Sequence, residues 1–149
     1  GYEVDFLIEQ IKRVLGAGDP VSVVIVGAGN LGRALTYYGG FASGGFPIKG
    51  LVDSSSEVIG QEVAGITVEP FEKLKDVVQK NSCTLGIIAT PAAAAQLVAD
   101  QLFDAGIYSI LNFAPGLVTV PESVTLRKVD LATELHILAF HEQQRERNE

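Results

Sequence analysis

Residues 23–35, VVIVGAGNLGRAL, carry four β-branched apolar residues straight into three glycines and then into a stretch of helical character. A short, continuously apolar, β-branched run is the pattern of a strand buried on both faces, and such strands belong to parallel sheets covered by helices. GAGNLG fits the spacing G-x-G-x-x-G at Gly27, Gly29 and Gly32, and Ala28, Asn30 and Leu31 complete the turn. Gly27 would permit the tight turn, Gly29 would let backbone approach a pyrophosphate, and Gly32 would let the helix lie close on the strand. The free N–H groups and dipole of that helix would face the anion.

The rest of the chain supplies the context this motif needs. Leu7, Ile8, Ile11, Val14 and Leu15 repeat with helical spacing until GAGDP stops them. A strand is expected over Val21–Val26 and a helix from Leu31 to about Ala42. A second strand runs Ile48–Val52 and ends at Asp53, 21 residues after Gly32. SSSEVIGQEVAG reads as a polar loop, Ile66–Glu69 as a short extended piece, and Pro70 as the start of a helix to about Lys80. A third buried strand, Thr84–Ala89, precedes a helix with Thr90 as N-cap, Pro91 at its first position and Gly106 at its end. Strands follow at Tyr108–Leu111 and Val124–Val129, and a last helix runs from about Leu131 to Gln144. Strands alternating with helices imply a doubly wound, mostly parallel α/β sheet.

On such sheets ligands lie across the carboxyl ends of the strands. Asp53 would accept hydrogen bonds from both hydroxyls of an adenosine ribose and repel a 2′-phosphate. Three serines and no arginine follow it, which favours NAD over NADP. Thr90 and Pro91 stand at a second strand end, and Asn112, Phe113, Ala114 and Pro115 at a third. The asparagine offers an amide for a carboxamide, and the other three make a dry wall for a ring. A plain glycine turn, or coenzyme A or S-adenosylmethionine on the same fold, are the competing readings.

Composition narrows the function classes. A chain of 149 residues, 47% apolar, fits one domain with a real core. A net charge of −7 opposes nucleic-acid binding by this chain as it stands, because phosphate contacts need a basic face. No apolar run approaches the ~20 residues of a membrane span, and the start lacks the basic-then-apolar order of a secretory signal. The chain has no methionine, so a processed chain or a fragment is expected. The single Cys83 can form no internal disulfide, suits a reducing cytosol and reads as buried packing. Hydride-transfer enzymes need a positioned acid–base group. The two histidines, His136 and His141, both fall in the last helix. No catalytic residue and no metal ligand set is therefore expected; the chain reads as a binder. The enzyme alternative is the cofactor domain of an NAD-dependent dehydrogenase, and the binding alternative is a coenzyme A module.

GYEV at the start, GAGNLGRALTYYGGF, Asp53, LGIIATPAAAAQLVADQL, AGIYSILNFAP and VPESVTLRKVDLATEL closely resemble the cofactor-binding domain of the Rex redox-sensing transcriptional repressors. LNFAP and YGGF are the most specific parts. The resemblance implies a Rossmann domain binding NADH and NAD⁺, a cytoplasmic location, and operator DNA bound through a winged-helix domain that would precede GYEV. It also implies a homodimer in which the C-terminal helix is exchanged. The matching divisions are a linker helix at 1–16, a dinucleotide-binding domain at 17–129 and a dimerisation helix at 130–149. Apolar residues on most sides of that helix, among them Leu131, Leu135, Ile137, Leu138 and Phe140, fit burial on more than one side. Tyr38 and Asp130 match the tyrosine and aspartate of the family's ligand-responsive polar switch. Leu131 departs from relatives that place a phenylalanine near the nicotinamide.

Overall fold

The structure, a computed structural model, describes the backbone of residues 2–17 and 19–148 and the side chains of residues 3–11 and 19–148. Helix α1 (Tyr2–Ala17) leads to β1 (Val23–Val26), the glycine turn, α2 (Asn30–Tyr37), α3 (Gly39–Ser43) and β2 (Ile48–Asp53). A small hairpin follows, β3 (Glu62–Val63) and β4 (Ile66–Thr67), then β5 (Glu69–Pro70), a 3₁₀ turn at Phe71–Lys73 and α4 (Leu74–Lys80). The second half contains β6 (Leu85–Ile88), α5 (Ala92–Asp104), β7 (Ser109–Asn112), β8 (Thr125–Lys128) and α6 (Leu131–Asn148).

The main sheet has six strands in the order β5-β2-β1-β6-β7-β8, all pairs parallel. Counted without the hairpin this is the doubly wound order 3-2-1-4-5-6, whose direction reverses between β1 and β6. Alternate residues of the buried strands feed two cores. Val24, Val26, Val52, Ile88 and Ile110 pack with α4 and α5. Val23, Ile25, Leu51 and Ile87 pack on the other face, with Leu35 of α2 and with Val63 and Ile66 of the hairpin.

That second face is only partly covered. The parallel crossover from β7 to β8, residues 113–124, contains no helix. An apolar groove of 290 Å³ remains over the sheet, lined by Val23, Phe46, Ile48, Leu85, Ile87 and Leu111 among others. Parallel sheets are normally covered on both faces. The two terminal helices display the complementary defect. Val4, Phe6, Leu7, Ile8 and Ile11 of α1 are exposed, as are Leu135, Ile137, Leu138 and Phe140 of α6, which buries none of its residues.

Four elements differ from the sequence reading; one is the helix expected from Pro70, where Pro70 instead ends β5, a 3₁₀ turn follows and α4 starts only at Leu74. The helix expected over residues 31–42 breaks at Tyr38, whose backbone turns extended (φ −72°, ψ 106°). Two glycines follow it, and its ring lies over Gly40 and edge-on to Phe41 at 4.8 Å, so tertiary packing outweighs helical continuity. The hairpin in the supposed polar loop escaped notice because two-residue strands are too short to show a period. Its turn is visible in the backbone, with Ala64 at φ 51° and Gly65 at φ 82°. The helix after β6 is capped by Pro91, with no side-chain cap. Thr90 is therefore not the N-cap.

Candidate dinucleotide crevice

The three glycines divide by what a side chain would meet. At Gly27, with φ +114°, a Cβ would run into the Ala89 carbonyl and lie 3.1 Å from Thr90 N. At Gly32 it would overlap the Gly27 carbonyl. Both are demanded by the fold: the turn passes against the β6 end, and α2 starts against the turn. Gly29 has ordinary extended backbone and nothing within 4 Å of its Cβ position. The fold does not require glycine there, and the space kept open belongs to the crevice. Gly29 is also the N-cap of α2, without a side-chain cap, so the N–H groups of the first helical turn are left for an outside acceptor. Of the intervening residues, Ala28 is fully buried, whereas Asn30 and Leu31 open α2 beside the crevice.

Asp53 is fixed on both sides. Its Oδ2 accepts from Ala28 N at 2.6 Å and its Oδ1 from Ser55 N at 2.8 Å. The first bond braces the glycine turn against the tip of β2, so the Ala28 N–H is committed to Asp53 rather than to a pyrophosphate. The second orients the carboxylate along the start of the next loop. Each oxygen keeps acceptor capacity for a further donor. The cleft between these elements has a volume of 430 Å³, and Gly27, Gly29, Asp53, Ser54, Thr90 and Pro91 contribute to its walls. Phe71, Ala94, Leu97 and Val98 also line it. Sequence reasoning missed these four; the i, i+3, i+4 spacing of Ala94, Leu97 and Val98 on α5 was the available signal. Beneath this wall Thr90 Oγ1 is buried and has no hydrogen-bond partner.

A smaller cavity of 150 Å³ lies at the other end, bounded by Leu31, Phe113, Ala114, Pro115, Lys128, Asp130 and Leu131 among others. The expected dry wall of Phe113, Ala114 and Pro115 is thus brought together with the start of α2 and the entry to α6. Asn112 behaves differently. It is 1% exposed, and its Oδ1 accepts from Ala114 N at 2.9 Å, so it shapes the turn carrying the wall instead of lining the cavity. Asp130 Oδ1 accepts from Thr133 N at 3.0 Å, the geometry of a helix cap for α6. The hydrogen bonds from Thr133 chiefly, aided by the Lys128 charge, hold the Asp130 carboxyl below its usual range. Lys128, absent from the sequence reading, donates from Nζ to Gly116 O at 2.9 Å. Tyr38 is exposed. Burial pushes the Cys83 thiol up to about 11, so it stays protonated at neutral pH and lacks thiolate reactivity. Among the described residues no cluster of His, Cys, Asp or Glu could hold a metal ion. None of their helices is long and apolar enough to cross a membrane.

A doubly wound sheet with a glycine turn at its reversal point and an acid at the neighbouring strand tip defines a nucleotide-binding α/β domain of the Rossmann type. The CoA binding domain family model matches residues 19–116. The Rex redox-sensing transcriptional repressor of Streptomyces avermitilis is 53% identical over 145 residues, 97% of this chain and 58% of the relative. That of Pelotomaculum thermopropionicum is 44% identical over 146 residues, 98% of this chain and 68% of the relative. The crystal structure of RSP, a Rex-family repressor, in complex with NADH superposes with a TM-score of 0.84 at 33% identity, covering 96% of this chain and 69% of that one. RSP has also been solved with NAD⁺ and operator DNA, with a TM-score of 0.83. The chain belongs to the Rex family of redox-sensing repressors. It spans little more than half the length of the Streptomyces relatives it matches.

Proposed function

We propose that this chain is the sensory part of a redox-responsive repressor, binding NADH and NAD⁺ in the crevice between the glycine turn and Phe113–Pro115. The observation that carries this reading is Gly29: a position the fold leaves free is kept without a side chain, beside uncapped helix N–H groups and a braced acid. The pyrophosphate would lie against the first turn of α2, the adenosine ribose on Asp53, and the nicotinamide in the 150 Å³ cavity. The relatives are named as transcriptional repressors, not enzymes. RSP's complexes with NADH and with NAD⁺ plus operator DNA support the choice of ligand.

The two nucleotides differ by the fixed positive charge of the oxidised ring. An apolar wall of Phe113, Ala114 and Pro115 penalises that cation, because taking a charge out of water without a partner is costly. A difference of about 2.7 kcal/mol gives hundredfold discrimination. In the whole protein, NADH would favour an arrangement of two subunits whose DNA-binding domains no longer fit the operator. Linkage then requires operator DNA to weaken NADH binding by the same factor.

The dimer would form by exchange of α6, residues 130–149 acting as the exchanged segment, 17–129 as the nucleotide-binding body and 1–16 as the link toward a preceding DNA-binding domain. The bare groove over β6–β8 and the two-sided apolar surface of α6 support this. Leu131, Leu135 and Leu138 fall on one side of the helix, and Ile137 and Phe140 on nearly the opposite one. Since α6 begins in the ring cavity, with Asp130 as its cap, a ligand there acts on the element that holds the subunits together. Tyr38 and Asp130 would form the polar switch, and a cytoplasmic location follows from the function.

Calorimetry of the chain with each nucleotide tests the central claim. NADH should bind at least tenfold more tightly than NAD⁺; equal affinities would remove the charge-rejection argument. The matching family model favours one second reading, a coenzyme A ligand, and mass spectrometry of the natively purified protein separates the two.

A further inference from the structure

The ring cavity is apolar except at one edge. There, Lys128 of β8 lines it beside the Phe113–Pro115 wall. Its ammonium is tethered to Gly116 O at 2.9 Å, which holds a long, flexible side chain in one place. Among the described residues Lys128 forms no ion pair; the one salt bridge joins Arg145 to Glu142. The neighbouring cation, Arg127, lines the groove on the sheet instead. The carboxylate closest in sequence, Asp130, also borders the cavity, but it is engaged as the cap of α6. The positive end of that helix offsets its charge. The Lys128 charge helps hold that carboxyl below its usual range, so the two groups are coupled, but they form no ion pair, and Lys128 is the one cationic side chain lining the cavity among the described residues.

We propose that Lys128 is a specificity-determining residue for the redox state of the bound dinucleotide, its ammonium repelling the pyridinium of NAD⁺ while leaving the neutral dihydropyridine of NADH untouched. The inference rests on the ring placement proposed above. It adds a second, physically distinct source of discrimination. The apolar wall acts by desolvation, which salt hardly alters. The lysine acts by Coulomb repulsion from a partly solvated edge, which salt screens. Across a partly solvated pocket of this size, repulsion between two unit charges amounts to roughly 3- to 10-fold in affinity.

Titrating wild type, Lys128→Met and Lys128→Arg with NADH and NAD⁺ at low and high salt separates the terms. In Lys128→Met the ratio of the two Kd values should fall roughly 3- to 10-fold, with the change carried by NAD⁺. Lys128→Arg should keep the wild-type ratio. Raising salt should shrink the wild-type ratio toward that of the methionine variant. A ratio that survives in Lys128→Met, or both affinities shifting together as they would if only the Gly116 tether mattered, overturns the inference while leaving the crevice reading intact. A wild-type chain that binds neither nucleotide overturns both.

Discussion

The two ends of the crevice are built on different principles. At the end proposed for the adenosine every wall comes from the folded body: the turn at Gly27–Gly29, Asp53 at the tip of β2, and the α5 face of Ala94, Leu97 and Val98. Its parts are cross-braced, as the Ala28–Asp53 bond shows. At the ring end the wall is shared between a strand tip and the segment 128–132 that leads into α6, a helix with no buried residue of its own in this chain. A preformed half suits affinity that does not change with redox state, since the adenosine moiety is identical in NADH and NAD⁺. The half that touches the exposed helix α6 suits a response, because only there do the ligands differ. Binding and sensing would thus be separated along one ligand.

If that division holds, damage at the preformed end should remove binding of both nucleotides alike. Gly29→Val gives the largest effect. The backbone there suits valine and the Cβ position is empty, so the fold should persist, with the loss of a favourable N-cap residue costing about 1 kcal/mol. The side chain would occupy the space of the pyrophosphate, and calorimetry should show NADH and NAD⁺ affinity both falling by about a hundredfold or more. Retained binding would move the pyrophosphate off this turn.

Asp53→Ala comes next. Losing a charged acceptor of two ribose hydroxyls should weaken both nucleotides by about 1.5–3 kcal/mol and relax the bias against NADPH. The NADH-to-NAD⁺ ratio should not move, which distinguishes this variant from Lys128→Met. Unchanged discrimination against NADPH would place the ribose elsewhere. Because Ala28 N also loses its acceptor, a small fall in melting temperature should accompany the change.

How far the sequence anticipated this architecture depends on the range of the forces involved. The parallel sheet was readable because buried strands such as Val23–Val26 are apolar on both faces, a local signature. The glycine spacing and Asp53 were readable for the same reason: a strand–turn–helix unit dictates its own chemistry. The break at Tyr38 was not, because the seat of its ring over Gly40 is a packing choice invisible to periodicity. The part Asn112 plays in the turn was not legible either: an asparagine before a turn can serve the turn or a ligand, and the bond from Ala114 N to its Oδ1 appears only in the folded structure. Lys128 went unnoticed because an exposed strand lysine carries no motif; its place beside Phe113–Pro115 exists only once β7 and β8 pair.

The smallest effect concerns the rigidity assigned to the adenosine end. Thr90 Oγ1 is buried there without a partner, and an unsatisfied hydroxyl costs roughly 1–3 kcal/mol relative to one that is bonded. Valine has nearly the same shape and no such group. Thr90→Val should therefore raise the melting temperature of the nucleotide-free chain by about 2–4 °C for each kcal/mol recovered. Since the wall keeps its form, NADH and NAD⁺ affinities should change by less than about threefold and in step. A fall in melting temperature would show that the hydroxyl is bonded in solution. A change in the NADH-to-NAD⁺ ratio would mean that the adenosine end also senses redox state, and the proposed separation of binding from sensing would fail.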